Sequence, residues 1–134
     1  MKLAIATGPE TLDEVQAALH AFWSSHEQVP AGVRLEIGIA AAEIAANIVE
    51  HGCAKTLHMD IEVLANAVIV EFADDGHPAD IDLITIQMPD EMAEHGRGLA
   101  LAQAALGLLA YFRDEIGNHW KLLSKAFSSN DDPG

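Results

Sequence analysis

Three short polar segments interrupt a largely apolar chain, and the residue types in each could do chemistry. Glu43 and Asn47 lie four residues apart in an Ala- and Ile-rich stretch that predicts a helix, so their side chains share one helix face. A carboxylate and an amide oxygen are ligands that suit Mg²⁺, and a partly buried carboxylate can act as a general base. The alternative interpretation is an exposed polar stripe on an amphipathic helix.

The other two segments combine glycine with chain turns. Asp74 and Gly76 directly follow a predicted strand, which puts the Asp74 carboxylate at a sheet end, where ligands tend to bind. Residues 96–98 read Gly-Arg-Gly before a predicted helix. Glycines there let an anion approach the free N–H groups of the helix N-terminus. Ordinary turns are the alternative interpretation of both segments.

The charge balance limits the partners. Seven Lys and Arg residues stand against 21 Asp and Glu residues, a formal net charge of −14. Nucleic acids and anionic membranes attract basic surfaces, so we expect neither as a partner. Arg97 is the only Lys or Arg between Thr56 and Phe112, and it is either a phosphate contact or an exposed side chain without a ligand role. Metal ions and backbone N–H groups would have to neutralise most of a phosphorylated ligand.

Length and composition predict one domain. The chain has 134 residues, half of them apolar, which is enough for a core at this size. We expect a single domain over residues 1–127 and a flexible tail over residues 128–134. The single cysteine, Cys53, excludes an internal disulfide framework. No apolar run is long enough for a membrane span, and we expect a cytoplasmic protein.

Hydrophobic periodicity predicts the elements that position these segments. A strand is expected at Leu3–Ala6 and a helix from Thr11, whose side chain would form a capping box with Glu14. The most regular pattern predicts a helix over Val33–His51. The remaining predictions are a hairpin of Leu57–Val63 with Val68–Phe72, a helix over Leu99–Leu109, and a closing hairpin of Tyr111–Asp114 with Trp120–Leu123 around Gly117 and Asn118.

The order of the motifs resembles the Bergerat (GHKL) ATP-binding fold, the superfamily of gyrase, MutL and histidine kinases. The resemblance covers about residues 33–125. It implies an α+β fold, a two-layer sandwich with a mixed, mostly antiparallel sheet and helices on one face. The residues that carry it are Glu43 and Asn47 in the N-box, Asp74 and Gly76 in the first glycine box, and Gly96, Gly98 and Leu99 in the second.

Within that superfamily the sequence is most similar to the anti-sigma-factor serine kinases of the SpoIIAB and RsbW type. Residues 47–52 read Asn-Ile-Val-Glu-His-Gly, similar to the Asn-x-x-x-His-Gly signature of that family. Residues 117–123 are similar to its last strand. A two-component histidine kinase is disfavoured, because these 134 residues show no dimerisation helices with a phosphoacceptor histidine.

The resemblance implies ATP and Mg²⁺ as cofactors and a role for each matching residue. Asn47 would hold Mg²⁺, and Glu43 would orient or deprotonate the nucleophile. Asp74 would accept a hydrogen bond from the adenine amino group. The other implied nucleotide-binding residues are Gly76, Pro78, Gly96, Arg97, Gly98 and Leu99.

The implied activity is phosphorylation of a serine on an anti-sigma-factor antagonist, together with sequestration of a regulatory partner such as a sigma factor. Dimers are typical of the family, so a homodimer is an open option. Pro78 departs from the family's glycine, and Asp90, Glu91 and Glu94 make the lid acidic. Two alternatives therefore stay open: a nucleotide-binding module that acts only by sequestration, and an acidic α+β domain without nucleotide.

Overall fold

In the part of the chain that the structure describes, five strands form one sheet, and two long helices pack on one of its faces. The computed structural model describes residues 1–51, 53–78 and 101–128. The strand order is β1-β2-β3-β5-β4, and all four pairings are antiparallel. The α+β class is confirmed, and the described strands contain no parallel pair. The elements are β1 (Lys2–Ala6), α1 (Thr11–Ser24), α2 (Ala31–His51), β2 (Thr56–Val63), β3 (Val68–Asp74), β4 (Leu108–Arg113) and β5 (Asn118–Leu123).

The core lies between the sheet and the helices because side chains alternate along each strand. In β3, Val68, Val70 and Phe72 are buried, whereas Glu71 between them is exposed. The helices contribute the opposite half of the core. The fully buried residues of the whole core, from helices and strands together, include Val15, Leu19, Ile37, Ile44, Leu57, Met59, Ile61, Trp120 and Leu122.

The start of α1 differs from the predicted capping box. Thr11 is the first residue of the helix, and Glu10 stands at the N-cap without a side-chain cap hydrogen bond. The Thr11 Oγ1 atom instead accepts a hydrogen bond from the Gly8 N–H at 2.8 Å. The predicted box with Glu14 is therefore wrong, because the Thr11 hydroxyl stabilises the turn before the helix.

Helix α2 begins at Ala31 and ends at His51, so the helix predicted over Val33–His51 is confirmed with two more residues at its start. The Arg34 guanidinium fastens the preceding loop, since it donates to the Val29 carbonyl at 2.8 Å. The side of α2 away from the sheet is not buried: Leu35 and Ile39 are 66% and 42% exposed. No helix within the described residues is long and apolar enough to span a membrane.

The helix predicted over Leu99–Leu109 ends earlier than predicted. Residues 101–105 are helical, and β4 starts at Leu108, so the helix predicted to reach Leu109 is too long. Gly107 explains the early end, because its N–H donates to the Leu123 carbonyl at 2.9 Å. A Cβ at this position would lie 2.9 Å from the Ser124 carbonyl oxygen, so a larger residue would force the backbone to shift.

Both predicted hairpins are present. The first turn, between β2 and β3, is closed by the Leu64 N–H and the Ala67 carbonyl at 2.7 Å. The second hairpin joins β4 and β5, and its strands are longer than predicted. Asn118, predicted in the turn, is the first residue of β5 and lies opposite Asp74 of β3. The register of this hairpin therefore carries polar side chains to the end of β3.

Candidate functional site

The end of β3 holds a buried carboxylate. The alternation of the strand turns Asp74 toward the helices, and the residue is only 4% exposed. Its Oδ1 atom accepts a hydrogen bond from the Gly76 N–H at 2.8 Å, which folds the loop back over the strand end. His77 and Pro78 follow on the surface. The structure thus brings together Asp74 and Gly76, the two predicted residues of the first glycine box.

Asn118 and Arg113 complete this end of the sheet, and neither was among the predicted site residues. Asn118 lies between Asp74 and Arg113 in the strand register. Its amide Nδ2 donates to Asp74 Oδ1 at 3.0 Å and to the His77 carbonyl at 2.7 Å. The Arg113 Nη1 atom donates to the Gly76 carbonyl at 3.1 Å. The closing hairpin therefore holds both the carboxylate and the loop that follows it.

Gly117 allows this close approach of the hairpin to β3. Its φ is +153°, and a Cβ on it would lie 2.1 Å from the Asp74 carbonyl oxygen. Real Cβ atoms do not approach a backbone oxygen so closely, so only glycine fits at this position. The Gly-Asn pair at 117–118 was the one signal in the sequence that could have pointed to the hairpin as part of the site.

The neighbouring carboxylate, Asp75, has a structural role. Its Oδ1 atom accepts the N–H groups of Lys55 and Thr56 at 2.8 and 3.1 Å. These two hydrogen bonds hold the pKa of the Asp75 carboxyl below its ordinary value, because they stabilise the charged form. Asp75 thus ties the start of β2 to the loop that leaves β3.

Glu43 and Asn47 lie on α2, one turn apart and beside the buried stripe of the helix. Both are half-buried, and their neighbours Ile44 and Ile48 point into the core. Neither side chain forms a hydrogen bond with the side chain or backbone of another described residue. Their shared face is as predicted, and their oxygen atoms suit a hard cation that also takes phosphate ligands.

The second glycine box and the predicted lid belong to a part of the chain that the structure does not describe. Gly96, Arg97, Gly98 and Leu99 lie outside the described residues, as do the lid carboxylates Asp90, Glu91 and Glu94. Within residues 1–51, 53–78 and 101–128, no group of three His, Cys, Asp or Glu side chains is arranged to hold a metal.

Comparison with solved structures defines the class of fold. The chain is similar to the RsbU and RsbW domains of Rv1364c from Mycobacterium tuberculosis, with a TM-score of 0.58 and 18% identity over 94% of this chain. It is also similar to the histidine kinase AdeS of Acinetobacter baumannii, with a TM-score of 0.53 and 14% identity over 96% of this chain. These likenesses establish the fold alone.

A blue-light-activated histidine kinase domain from Erythrobacter litoralis is a further similar structure, with a TM-score of 0.52, 17% identity and 84% of this chain covered. The chain spans 32%, 68% and 58% of the mycobacterial, Acinetobacter and Erythrobacter structures, respectively. A search of curated proteins finds no significant match.

The sequence itself identifies the family. The family model for the histidine kinase-like ATPase domain matches residues 5–122, which includes every described strand except the first part of β1 and the last residue of β5. The chain therefore belongs to the histidine kinase-like ATPase family, and the resemblance to the GHKL superfamily is confirmed. Asp74, Asn118 and α2 all lie within the matched region.

Proposed function

We propose that this protein is an ATP-dependent serine protein kinase of the anti-sigma-factor type. It would phosphorylate an antagonist protein in the cytoplasm and sequester a regulatory partner. The observation that carries the nucleotide part of this proposal is the buried Asp74 carboxylate at the end of β3. No described residue donates a hydrogen bond to its Oδ2 atom, so this end of the site suits a ligand with a hydrogen-bond donor.

The adenine amino group is such a donor. Asp74 Oδ1 is already occupied by Gly76 and Asn118, which leaves Oδ2 to accept from the base. Gly76 has no side chain, so a flat ring can lie against the loop backbone. Membership of an ATPase-domain family supports ATP as the nucleotide.

The phosphate end of the proposed site lies on α2. ATP supplies the phosphoryl group to be transferred. Asn47 would offer its amide oxygen to a Mg²⁺ that neutralises the phosphates, and Glu43 on the same face would orient the attacking serine hydroxyl and take its proton. The second glycine box, Gly96, Arg97, Gly98 and Leu99, would add backbone N–H donors and one cation to the phosphates.

The partner part of the proposal has two supports. The first is the similarity of the sequence to anti-sigma-factor kinases, carried by residues 47–52. The second is the structural likeness to a protein whose RsbW domain bears the same family name. The proposed phosphoacceptor is a serine on an anti-sigma-factor antagonist, the proposed sequestered partner is a sigma factor, and a homodimer is the proposed assembly.

A catalytically weak module that binds nucleotide and acts by sequestration is the second candidate. The net charge of −14 and the lid carboxylates Asp90, Glu91 and Glu94 favour it, because they oppose a highly charged triphosphate. Presence of both Glu43 and Asn47 favours the kinase, since a protein that only binds nucleotide has less need of the carboxylate.

Isothermal titration calorimetry of ATP with and without Mg²⁺ tests the site. We expect binding that weakens at least tenfold when EDTA replaces Mg²⁺, and an Asn47→Ala variant that has lost this dependence. Asn66→Ala is the matched control, because Asn66 is an exposed amide in the β2–β3 turn. Equal ATP affinity of the wild type in Mg²⁺ and EDTA would refute the role of Asn47, and no ATP binding at all would refute the nucleotide site.

A further inference from the structure

The closing hairpin controls how the Asp74 carboxylate is presented. Across the sheet end, Asp74 of β3, Asn118 of β5 and Arg113 of β4 lie in one row of directly opposed residues. Two residues further along the same strands, Tyr111 and Trp120 lie opposite each other. Their rings are in contact, with 4.6 Å between centroids. The Asn118 amide is therefore surrounded by the Tyr111 hydroxyl, the Arg113 guanidinium and the Asp74 carboxylate, whose roles as hydrogen-bond donors or acceptors are known.

Those neighbours allow only one orientation of the amide. The Asn118 Oδ1 atom accepts from the Tyr111 hydroxyl and from Arg113 Nη1 at 3.1 Å, and a guanidinium can only donate. The Nδ2 atom faces the Asp74 carboxylate and the carbonyls of Gly76 and His77, which can only accept. A flipped amide would oppose donor to donor and acceptor to acceptor.

The fixed amide leaves Asp74 with one oxygen for a ligand. Its Oδ1 atom receives the Gly76 N–H at 2.8 Å and the Asn118 amide at 3.0 Å. Two hydrogen bonds use the two lone pairs of that oxygen. No described residue donates to Oδ2, so a ligand meets one acceptor and not two.

We propose that Asn118, oriented by Tyr111 and Arg113, is a positioning residue that makes the site selective for a base with a single amino donor. This inference rests on the proposed nucleotide site. Adenine offers one amino group to Oδ2. Guanine presents two adjacent donors, N1–H and the 2-amino group, which pair best with both oxygens of a free carboxylate. The occupied Oδ1 removes that pairing.

Calorimetric affinities for ATP and GTP, measured in Mg²⁺ on the full chain, test the inference through their ratio. We expect the wild type to prefer ATP at least tenfold, and Asn118→Ala to lower this preference about tenfold, the worth of one hydrogen bond to a charged group. GTP affinity should rise in this variant because Oδ1 becomes available. A purely structural role for Asn118 would weaken both nucleotides equally and leave the ratio unchanged.

Arg113 provides a second test that does not depend on a buried substitution, because it is exposed. A single nitrogen, Nη1, donates to both Asn118 Oδ1 and the Gly76 carbonyl, and a lysine ammonium can do the same. Arg113→Lys should therefore keep the wild-type ATP preference, whereas Arg113→Met should lower it about threefold or more.

The outcomes separate this inference from the proposed function. ATP binding with an unchanged ATP-to-GTP ratio in both Asn118→Ala and Arg113→Met overturns the role of Asn118 and leaves the nucleotide site standing. Equal affinity of the wild type for ATP and GTP also overturns only the inference. Failure of the wild type to bind either nucleotide overturns the proposed function, and the inference with it.

Discussion

The two ends of the proposed site are built in opposite ways. At the base end, Asp74, Asn118 and Arg113 are held by hydrogen bonds between three neighbouring strands. At the phosphate end, the half-buried side chains of Glu43 and Asn47 project from one helix, and neither forms a hydrogen bond with another described residue. One end is therefore ordered by the fold itself, while the other presents oxygen atoms whose partners would arrive with the ligand.

Because of this difference, we expect the two ends of the site to contribute to different measurable quantities, affinity and rate. A preorganised acceptor loses little conformational freedom when a base binds, so its contribution appears in affinity. Side chains that act on the transferred group contribute when the transition state forms, so their contribution appears in rate. Changes at the base end should thus alter nucleotide affinity, whereas a change of Glu43 at the phosphate end should alter phosphoryl transfer.

The largest effect is expected at Glu43. Glu43→Gln keeps the size of the side chain but removes the base, so transfer of labelled phosphate from ATP to a serine of the antagonist should fall about 10²–10⁴-fold. ATP affinity should stay within about threefold, because the glutamine retains a polar oxygen on the same face.

Glu36→Gln is the matched control for this experiment. Glu36 lies on the same helix, but it forms an ion pair with Lys125 at 3.1 Å, so the same loss of charge there should leave transfer unchanged. Equal loss of transfer in both variants would contradict the role of Glu43. If the wild type binds ATP but transfers no phosphate to candidate antagonists, the sequestering module is the better proposal.

The second effect concerns the base end. Asp74→Asn should weaken ATP binding roughly ten- to a hundredfold, because the buried acceptor of the amino group loses its charge and one oxygen becomes a donor. Asp75→Asn is the control, since an amide oxygen at position 75 can still accept from Lys55 and Thr56. Unchanged ATP affinity of a folded Asp74→Asn protein would sink the assignment of this residue.

Sequence periodicity predicted the parts of the molecule that depend on local pattern. Helix α2 and both hairpins were predicted, because alternation and helical spacing are local properties of the chain. The position of Asp74 at the end of a buried strand was predicted for the same reason. The capping role of Thr11 was wrong, since its hydroxyl instead accepts the N–H of Gly8.

The missed residues belong to the register between distant strands. Asn118 meets Asp74 only because β5 pairs with β3, and 44 residues separate the two along the chain. Arg113 reaches the Gly76 carbonyl only because β4 adds to the far side of β5. No local pattern encodes those neighbours. The sequence therefore predicted Arg97, and not Arg113, as the candidate cation of the site.

Gly117 tests whether the base end depends on the close approach of the hairpin. Gly117→Ala should lower the free energy of unfolding by about 1–3 kcal/mol, because the new Cβ meets the Asp74 carbonyl at a backbone position where nothing flexible can yield. ATP affinity should fall with it, since Asp74 must shift. Urea denaturation and calorimetry measure the two effects.

Gly38→Ala is the contrasting substitution in this experiment. The nearest atom to a Cβ at position 38 is Gln16 Oε1 at 3.8 Å, an ordinary contact. Alanine inside α2 should therefore stabilise the protein by about 0.5–1 kcal/mol without changing ATP affinity. A Gly117→Ala protein as stable as the wild type would show that the hairpin does not constrain the strand end.

The smallest effect is expected at Asp75, which supports the base end from the side of β2. The pKa of its carboxyl is lower in the folded protein than its ordinary value, because the Lys55 and Thr56 N–H groups stabilise the charged form. The unfolded chain therefore binds the proton more readily, so this contribution is present above about pH 4 and is lost as the pH falls further. Asp75→Ala should flatten the acid side of the stability profile and leave the ATP-to-GTP preference intact. Urea denaturation of wild type and variant from about pH 3 to about pH 7 measures this effect, because that range includes the ordinary pKa of an aspartate, about 3.9. A constant difference in stability across the range would contradict the assigned hydrogen bonds.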